Sequence, residues 1–218
     1  MKIEFVPGTK DIEDLVPCPE SGKNFIPQWY KDIPGGEKNL NVKKCMPFLD
    51  SISVGYIQKT WTDIYVKNNN EQVSVLHNHK VPMFFYREQT HIPVSEYYYQ
   101  IEFIWLKPWS TILPDGMSAL ITHPINRIDL PFTTMSGVVD LDKSIHAPIG
   151  NIPFFIKKDF VGLIPKGTPM FQILPFERNN WQSKKQGFSQ KFWQEKINER
   201  GDALGFYKKK IWQKKYFD

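Results

Sequence analysis

Three histidines in the sequence have the chemistry to bind a metal ion. His77 and His79 are two residues apart, so on a β-strand both side chains would point to the same face. His91 follows later in the chain and would supply a third imidazole, a ligand suited to zinc, iron and copper. The alternative interpretation is that these residues form a polar corner between two strands.

A second group of polar residues lies in and after a loop between two predicted strands. His123, Asn126 and Arg127 are close together, and Asp140 and Asp142 follow after the next short strand. Arginine is a good phosphate ligand, and a pair of carboxylates can bind a divalent cation. The sequence therefore predicts that these residues form the rim of a pocket. The alternative is that Asp140 and Asp142 bind no ion and simply face water. The sequence contains no Walker loop, no HExxH motif and no recognisable pair of nucleophile and base.

Two short runs resemble elements of the dUTPase and dCTP-deaminase group, whose members share a β-clip fold. Gly137–Asp140 has the sequence Gly-Val-Val-Asp, similar to a Gly-Val-Ile-Asp element of that group, and Gly167 and Gln172 match its last element. The resemblance covers about residues 100–176 and makes Gly167 and Gln172 candidate binding residues. The same residues also fit a purely structural role, because Pro-Lys-Gly is a turn sequence.

This resemblance implies a divergent nucleotide hydrolase in which Asp140 orients the attacking water, Arg127 binds phosphate and Mg²⁺ is the cofactor. Two parts of the family pattern are missing. Lys143 stands where the family has a tyrosine that packs against the base or sugar, and Asn126 with Arg127 is only a rough substitute for an Arg-Ser-Gly phosphate motif. The resemblance therefore supports a fold more strongly than an activity.

The histidines suggest a different enzyme class. A pair such as His77 and His79 is similar to the metal site of cupins, which also lies in a β-barrel, and this implies a metal-dependent oxygenase. The pattern departs from a cupin because no carboxylate follows within a few residues of His79.

A set of short runs also resembles an uncharacterised family carried by tailed phages and some bacteria. They are Ile26–Lys31, Lys43–Asp50, Gly55–Tyr56, His123–Arg127, Gly137–Asp140 and Lys208–Phe217. The resemblance implies a phage or phage-like origin and nothing about mechanism.

The C-terminal segment, residues 179–218, is basic and aromatic. It carries a net charge of +6, whereas residues 1–178 carry −1. Lysines interleaved with aromatic rings suit phosphate contacts and base stacking, so an anionic partner is one prediction. The alternative is a helix docked on its own domain with its lysines in water. The candidate binding residues are Lys208, Lys209, Lys210, Trp212, Lys214 and Lys215.

The composition favours a β-rich protein. Aromatic residues make up 15% of the 218 residues, prolines number 17, and ten short β-type runs separated by turn residues lie between residues 53 and 175. This pattern predicts a mainly β fold, a β-clip or a jelly-roll-like sandwich. An N-terminal arm (1–50) would wrap a β-rich core (51–178), and a helical tail (179–218) would begin its helix at Ser189 and resume it over Phe206–Phe217.

The two cysteines, Cys18 and Cys45, are too few for a disulfide framework, and no apolar run has the length of a membrane span. With no leader segment recognisable, we expect a protein of the host cytoplasm or the virion, neither secreted nor membrane-spanning.

The preferred hypothesis is a phage-type, non-catalytic binding or assembly module without a required cofactor. Its partners would be other virion or phage proteins, or a second copy of the chain. The nucleotide hydrolase and the cupin-like oxygenase are the alternatives.

Overall fold

The computed structural model describes residues 1–35, 41–69, 72–87, 92–143, 151–200 and 206–218. The strands within these ranges are β1 Glu4–Pro7, β2 Glu20–Ser21, β3 Tyr56–Lys59, β4 Ile64–Asn69, β5 Gln72–His77, β6 Phe84–Arg87, β7 Glu102–Leu106, β8 Trp109–Ile112, β9 Met117–Thr122, β10 Phe132–Thr134, β11 Gly137–Val139, β12 Asn151–Ile156, β13 Gly162–Ile164 and β14 Pro169–Glu177. The α-helices are α1 Lys10–Leu15, α2 Gln28–Asp32, α3 Met46–Ser53 and α4 Gln190–Arg200.

Within the described ranges, all strand pairs are antiparallel, and they form four sheets. The largest has the order β11-β9-β14-β3-β2, and the second has the order β10-β12-β7-β6. A three-stranded sheet, β13-β4-β5, and the pair β1-β8 complete the architecture. The prediction of a mainly β fold with a C-terminal helix is confirmed.

The core is built from aromatic side chains of neighbouring strands. Trp105 on β7 stacks on Phe154 of β12 with 3.6 Å between ring centroids and 6° between planes. Phe132 of β10 contacts Trp105 edge-on, with centroids 5.3 Å apart. All three side chains are fully buried. Because each buried large side chain contributes about 1.5–3 kcal/mol, these pairs explain how such short strands are held in register.

The N-terminal arm is more regular than the sequence suggested. The helices α1 and α3 were not predicted, because the proline-rich segment resembled a string of turns. Thr9 caps α1 by accepting a hydrogen bond from the Ile12 amide at 3.3 Å. Pro47 lies in the first turn of α3, where its missing N–H costs nothing and its fixed φ suits the helix. The arm also supplies β1, which pairs with β8.

Short strands after prolines were missed as well. Trp109–Ile112 (β8) follows Pro108, and Phe132–Thr134 (β10) follows Pro131. Proline is tolerated just before a strand, since only its own N–H is lost from the ladder.

The C-terminal segment contains less helix than predicted. α4 begins as expected after Ser189, whose hydroxyl accepts a hydrogen bond from the Phe192 amide at 3.2 Å. The predicted helix over Phe206–Phe217 is wrong: one π-type turn, Tyr207–Ile211, is followed by extended chain. The helix ends there because Trp212 and Phe217 turn towards the body of the protein. No helix in the described part of the chain is both long and apolar enough to cross a membrane.

Candidate functional site

The predicted pocket rim lies where β9 leads into the loop of residues 123–129. His123 is held by both ring nitrogens: Nδ1 accepts from the Thr134 amide at 3.3 Å, and Nε2 lies 3.0 Å from the Arg127 carbonyl oxygen. These contacts fit a neutral ring that donates from Nε2. Burial is the main cause that lowers the pKa of His123 below its ordinary value. The ring therefore orders the loop as a neutral side chain.

Arg127 points towards the N-terminal arm. Its guanidinium forms a bidentate pair with Asp129, with Nε–Oδ1 at 2.9 Å and Nη2–Oδ2 at 2.8 Å, and its Nη1 lies 3.4 Å from the Phe25 carbonyl oxygen. Trp29 donates to the same carboxylate at 3.2 Å. Burial opposes ionisation of Asp129, but the hydrogen bonds and charge of Arg127 outweigh it, so the pKa of Asp129 lies below its ordinary value. The phosphate-binding capacity of Arg127 is thus occupied by a carboxylate of its own chain.

Asn126 and Gln172 join this loop to the end of α3. Asn126 has φ of 60° and donates through Nδ2 to Ser51 Oγ at 2.8 Å. Gln172 is buried on β14, where Oε1 accepts from the Ile125 amide at 2.9 Å and Nε2 donates to the Val54 carbonyl at 2.7 Å. Both amides make their bonds within the chain.

Gly167 lies in a turn. Its φ is +89°, a left-handed conformation that favours glycine, and its amide donates to the Thr60 carbonyl at 2.9 Å. A Cβ at this position would meet open space. The backbone conformation therefore accounts for this glycine.

Asp140 belongs to a separate cluster at the other end of β9. Its Oδ1 accepts from Ser118 Oγ at 2.5 Å and lies 3.3 Å from Nη1 of Arg178. Arg178 pairs more closely with Asp142, whose carboxylate also accepts from the Gly116 amide at 2.8 Å. Arg178 is the main cause that lowers the pKa of Asp142 to about 2. No local pattern in the chain indicated Arg178, because only the strand register brings it beside these aspartates.

The structure separates Asp140 from Arg127. Val139 pairs with Ala119 of β9, so Asp140 lies beside Ser118, whereas Arg127 follows the opposite end of the strand at Thr122. Four residues of strand span about 13 Å. The two residues that a nucleotide hydrolase would need at one ligand are therefore not brought together.

The histidines at the end of β5 contact backbone groups. His77 Nε2 accepts from the Met83 amide at 3.4 Å, and its ring lies edge-on to Phe84 with centroids 5.2 Å apart. His79 Nδ1 accepts from the Val81 amide at 3.0 Å. Burial lowers the pKa of His77. His91 lies outside the described residues, within which no group of three potential metal-ligating side chains occurs.

The C-terminal segment leaves the body and returns to it. Residues 179–211, here called the excursion, follow Arg178 and precede Trp212. Trp212 donates to Asp50 on α3 at 2.9 Å, and Lys215 Nζ donates to the same carboxylate oxygen at 2.7 Å. Phe217 packs edge-on against Tyr56 with centroids 5.9 Å apart.

The predicted binding lysines divide between these two parts of the segment. Lys208, Lys209 and Lys210 are exposed on the π-type turn within the excursion. Lys214 lies over the ring of Tyr216 at 5.0 Å in the docked end. Of the predicted binding lysines, Lys208, Lys209 and Lys210 therefore lie apart from the contacts that hold the end of the chain against the body.

The excursion also exposes large aromatic residues that were not predicted as binding residues. Every residue from Arg178 to Glu199 is exposed, and Trp181 and Phe188 reach 89% and 82% exposure. The sequence could have indicated these binding candidates only through the presence of aromatic residues in a polar, turn-rich segment.

No protein-family model matches the chain, and no curated protein matches it in sequence. Among solved structures, the chain is similar to a mutant dUTPase of Staphylococcus bacteriophage 80alpha, solved with dUpNHpp. The TM-score is 0.37 and the sequence identity 10%, over 87% of this chain and 90% of that chain. A TM-score at this level does not establish a common fold, and nothing about a ligand or an activity follows from it.

Proposed function

We propose that the protein is a non-catalytic binding and assembly module that engages a protein partner through its excursion. The observation that carries this proposal is the exposure of Trp181 and Phe188, at 89% and 82%, in a segment with no buried residue from 178 to 199. Contiguous apolar groups on a surface mark interaction sites, and aromatic residues dominate the binding energy of protein interfaces.

The helix α4 supports the same proposal. It has 11 residues, and none of its described side chains is buried. An isolated helix shorter than about 12–15 residues is marginal in water, so its stability must come from packing. Phe192, Trp193 and Ile197 are exposed on it. A partner that covers these side chains would supply the missing packing.

Both ends of the excursion are fixed to the body. Arg178 is held by Asp142 at one end, and Trp212 by Asp50 at the other. Fixed ends reduce the chain entropy that must be lost when a segment is ordered on a partner. This arrangement suits presentation of a binding segment.

A second copy of the chain offers a matching surface. On the three-stranded sheet, Leu163 pairs with Tyr65 and Tyr65 pairs with Leu76, so the three side chains form one row across β13, β4 and β5. All three are exposed. Such an apolar row can accept aromatic side chains from an excursion. The charge of +6 on residues 179–218, against −1 on the rest, also favours contact between the excursion of one copy and the body of another.

Sedimentation velocity of the full chain over a concentration series tests the proposal. We expect the wild type to self-associate and the double variant Trp181→Ser/Phe188→Ser to be shifted to monomer. Tyr97→Ser is the matched control, because Tyr97 is 74% exposed and lies outside the excursion. The control should assemble like the wild type. A wild type that stays monomeric, or a double variant that assembles normally, would contradict the proposal.

The nucleotide hydrolase is tested separately with dUTP and dCTP in the presence of Mg²⁺. A nucleotide at 100 times its Kd would add about 2.7 kcal/mol and raise the Tm of a chain of this size by roughly 5–10 °C. The separation of Asp140 from Arg127 leads us to expect no such shift. A base-specific shift, with turnover abolished in Asp140→Asn at unchanged Tm, would favour the hydrolase instead.

The phage-like origin, and a place in the virion or the host cytoplasm, belong to the same proposal. They rest on the sequence resemblance of runs such as Ile26–Lys31 and His123–Arg127. Within this proposal, partners other than a second copy would be further proteins of the same virion.

A further inference from the structure

Lys107, between β7 and β8, is buried over most of its side chain. Its residue exposure is 7%, and in the described part of the chain its ammonium has neither a hydrogen-bond nor an ion-pair partner. The backbone around it is fixed, since the Leu106 amide donates to the Met83 carbonyl at 2.9 Å and Pro108 accepts from the Gly8 amide at 3.4 Å. The side chain therefore cannot easily be carried out to solvent by a loop movement.

A cavity of about 300 Å³ lies beside this lysine. Its volume is at the lower end of the range for small-molecule sites. Most of its walls are apolar side chains from α1, the segment before β6, and the β7–β8 connection. These are Ile12, Val81, Pro82, Leu106 and Pro108.

The polar groups of the cavity other than Lys107 already have partners. Asp11 and Lys80, which also line it, form an exposed ion pair with Nζ–Oδ1 at 2.8 Å. Thr9 accepts the capping hydrogen bond of α1 from the Ile12 amide. Among the lining side chains that the structure describes, Lys107 is thus the polar one that makes no hydrogen bond or ion pair.

Partial burial of an ammonium without a counter-charge is unfavourable, because the group loses part of its hydration and gains nothing in exchange. Burial accordingly lowers the pKa of Lys107. An anion placed in the cavity would reverse this penalty, since a hydrogen bond between an ammonium and a carboxylate is among the strong ones. The apolar walls would meanwhile bury the hydrocarbon part of the same molecule.

We propose that this cavity binds a small apolar carboxylate, with its carboxylate group paired to Lys107 Nζ and its short chain or single ring against the apolar walls. The site is independent of the assembly proposal, because none of its residues lies in the excursion. It uses none of the residues assigned above to a nucleotide or a metal ion.

Octanoate is the probe, and calorimetric titration of the full chain is the measurement. We expect octanoate to bind the wild type. Lys107→Met keeps an unbranched apolar side chain of similar length, and we expect it to weaken octanoate binding at least tenfold, through loss of the charge-assisted hydrogen bond. Lys80→Met should bind octanoate within about twofold of the wild type, because Lys80 is exposed and paired with Asp11.

Two further measurements keep the test decisive. Octan-1-ol has the same chain without the charge, and it should bind the wild type and Lys107→Met equally. Thermal melting should show Lys107→Met at least as stable as the wild type, since an unpaired and partly desolvated charge is removed. Failure of octanoate to bind the wild type at millimolar concentration would overturn the proposal. Equal octanoate affinity of the wild type and a folded Lys107→Met would do the same.

Discussion

Gln172 and Gln58 are a matched pair of buried amides whose replacement should have very different costs. Each is 1% exposed, and they lie on the neighbouring strands β14 and β3. Gln172 Oε1 accepts a hydrogen bond from the Ile125 amide at 2.9 Å, and its Nε2 donates to the Val54 carbonyl at 2.7 Å. Gln58 instead has a buried Oε1 without a hydrogen-bond partner in the described residues.

The structure gives the size of the difference. Gln172→Met leaves two backbone groups without partners, at about 1–3 kcal/mol each. Gln58→Met loses donation to the Lys59 carbonyl at 3.0 Å and to the Pro17 carbonyl at 3.2 Å, but it also removes an unsatisfied oxygen of comparable cost. The net difference is one unpaired buried group, so we expect Gln172→Met to be more destabilising by about 2 kcal/mol. At about 2–4 °C per kcal/mol, the Tm values should differ by roughly 4–8 °C.

Urea unfolding at neutral pH and differential scanning calorimetry measure both variants against the wild type. Methionine suits both positions, because it is unbranched like glutamine and adapts to irregular gaps. Equal losses in Gln172→Met and Gln58→Met would refute the reasoning, since burial alone would then decide the cost. A larger loss in Gln58→Met would refute it more strongly.

Three other predictions concern the contacts that fix the loops and the tail. The pKa of Asp142 is held at about 2 chiefly by Arg178, so its contribution to stability is complete above about pH 4 and is lost as the pH falls through about 2. Arg178→Met should therefore move the acid-unfolding midpoint to higher pH, and an unchanged midpoint would contradict this. Asp50→Asn should weaken the hydrogen bond that holds Trp212 and so speed tryptic cleavage of the C-terminus several-fold. Mass spectrometry measures the cleavage rate, and equal rates in the variant and the wild type would contradict this prediction. At φ of 60°, Asn126→Ala should cost about 1–2 kcal/mol more than Asn126→Gly in urea unfolding, and equal losses would exclude backbone strain as the reason.

Local features of the fold could be predicted from the sequence because their causes are local. Pro-Lys-Gly indicated a turn, and Gly167 indeed has φ of +89°. Ser189 indicated the start of α4 through its capping hydroxyl. Short β-type runs between turn residues indicated a mainly β fold. The helix α3 was missed because Pro47 has opposite meanings in a first helical turn and in a loop.

The candidate sites depended on contacts between residues far apart in the chain. The sequence alone determined that β9 is a strand and that Arg127 and Asp140 both follow it along the chain. Only the tertiary structure decided that Arg178 returns beside Asp140, while Arg127 turns to Asp129. The physical reason is that the register of antiparallel strands depends on the packing of both faces of a sheet, which no single segment specifies. The same holds for Lys107, whose burial beside α1, without a partner among the described residues, arises only in the folded structure.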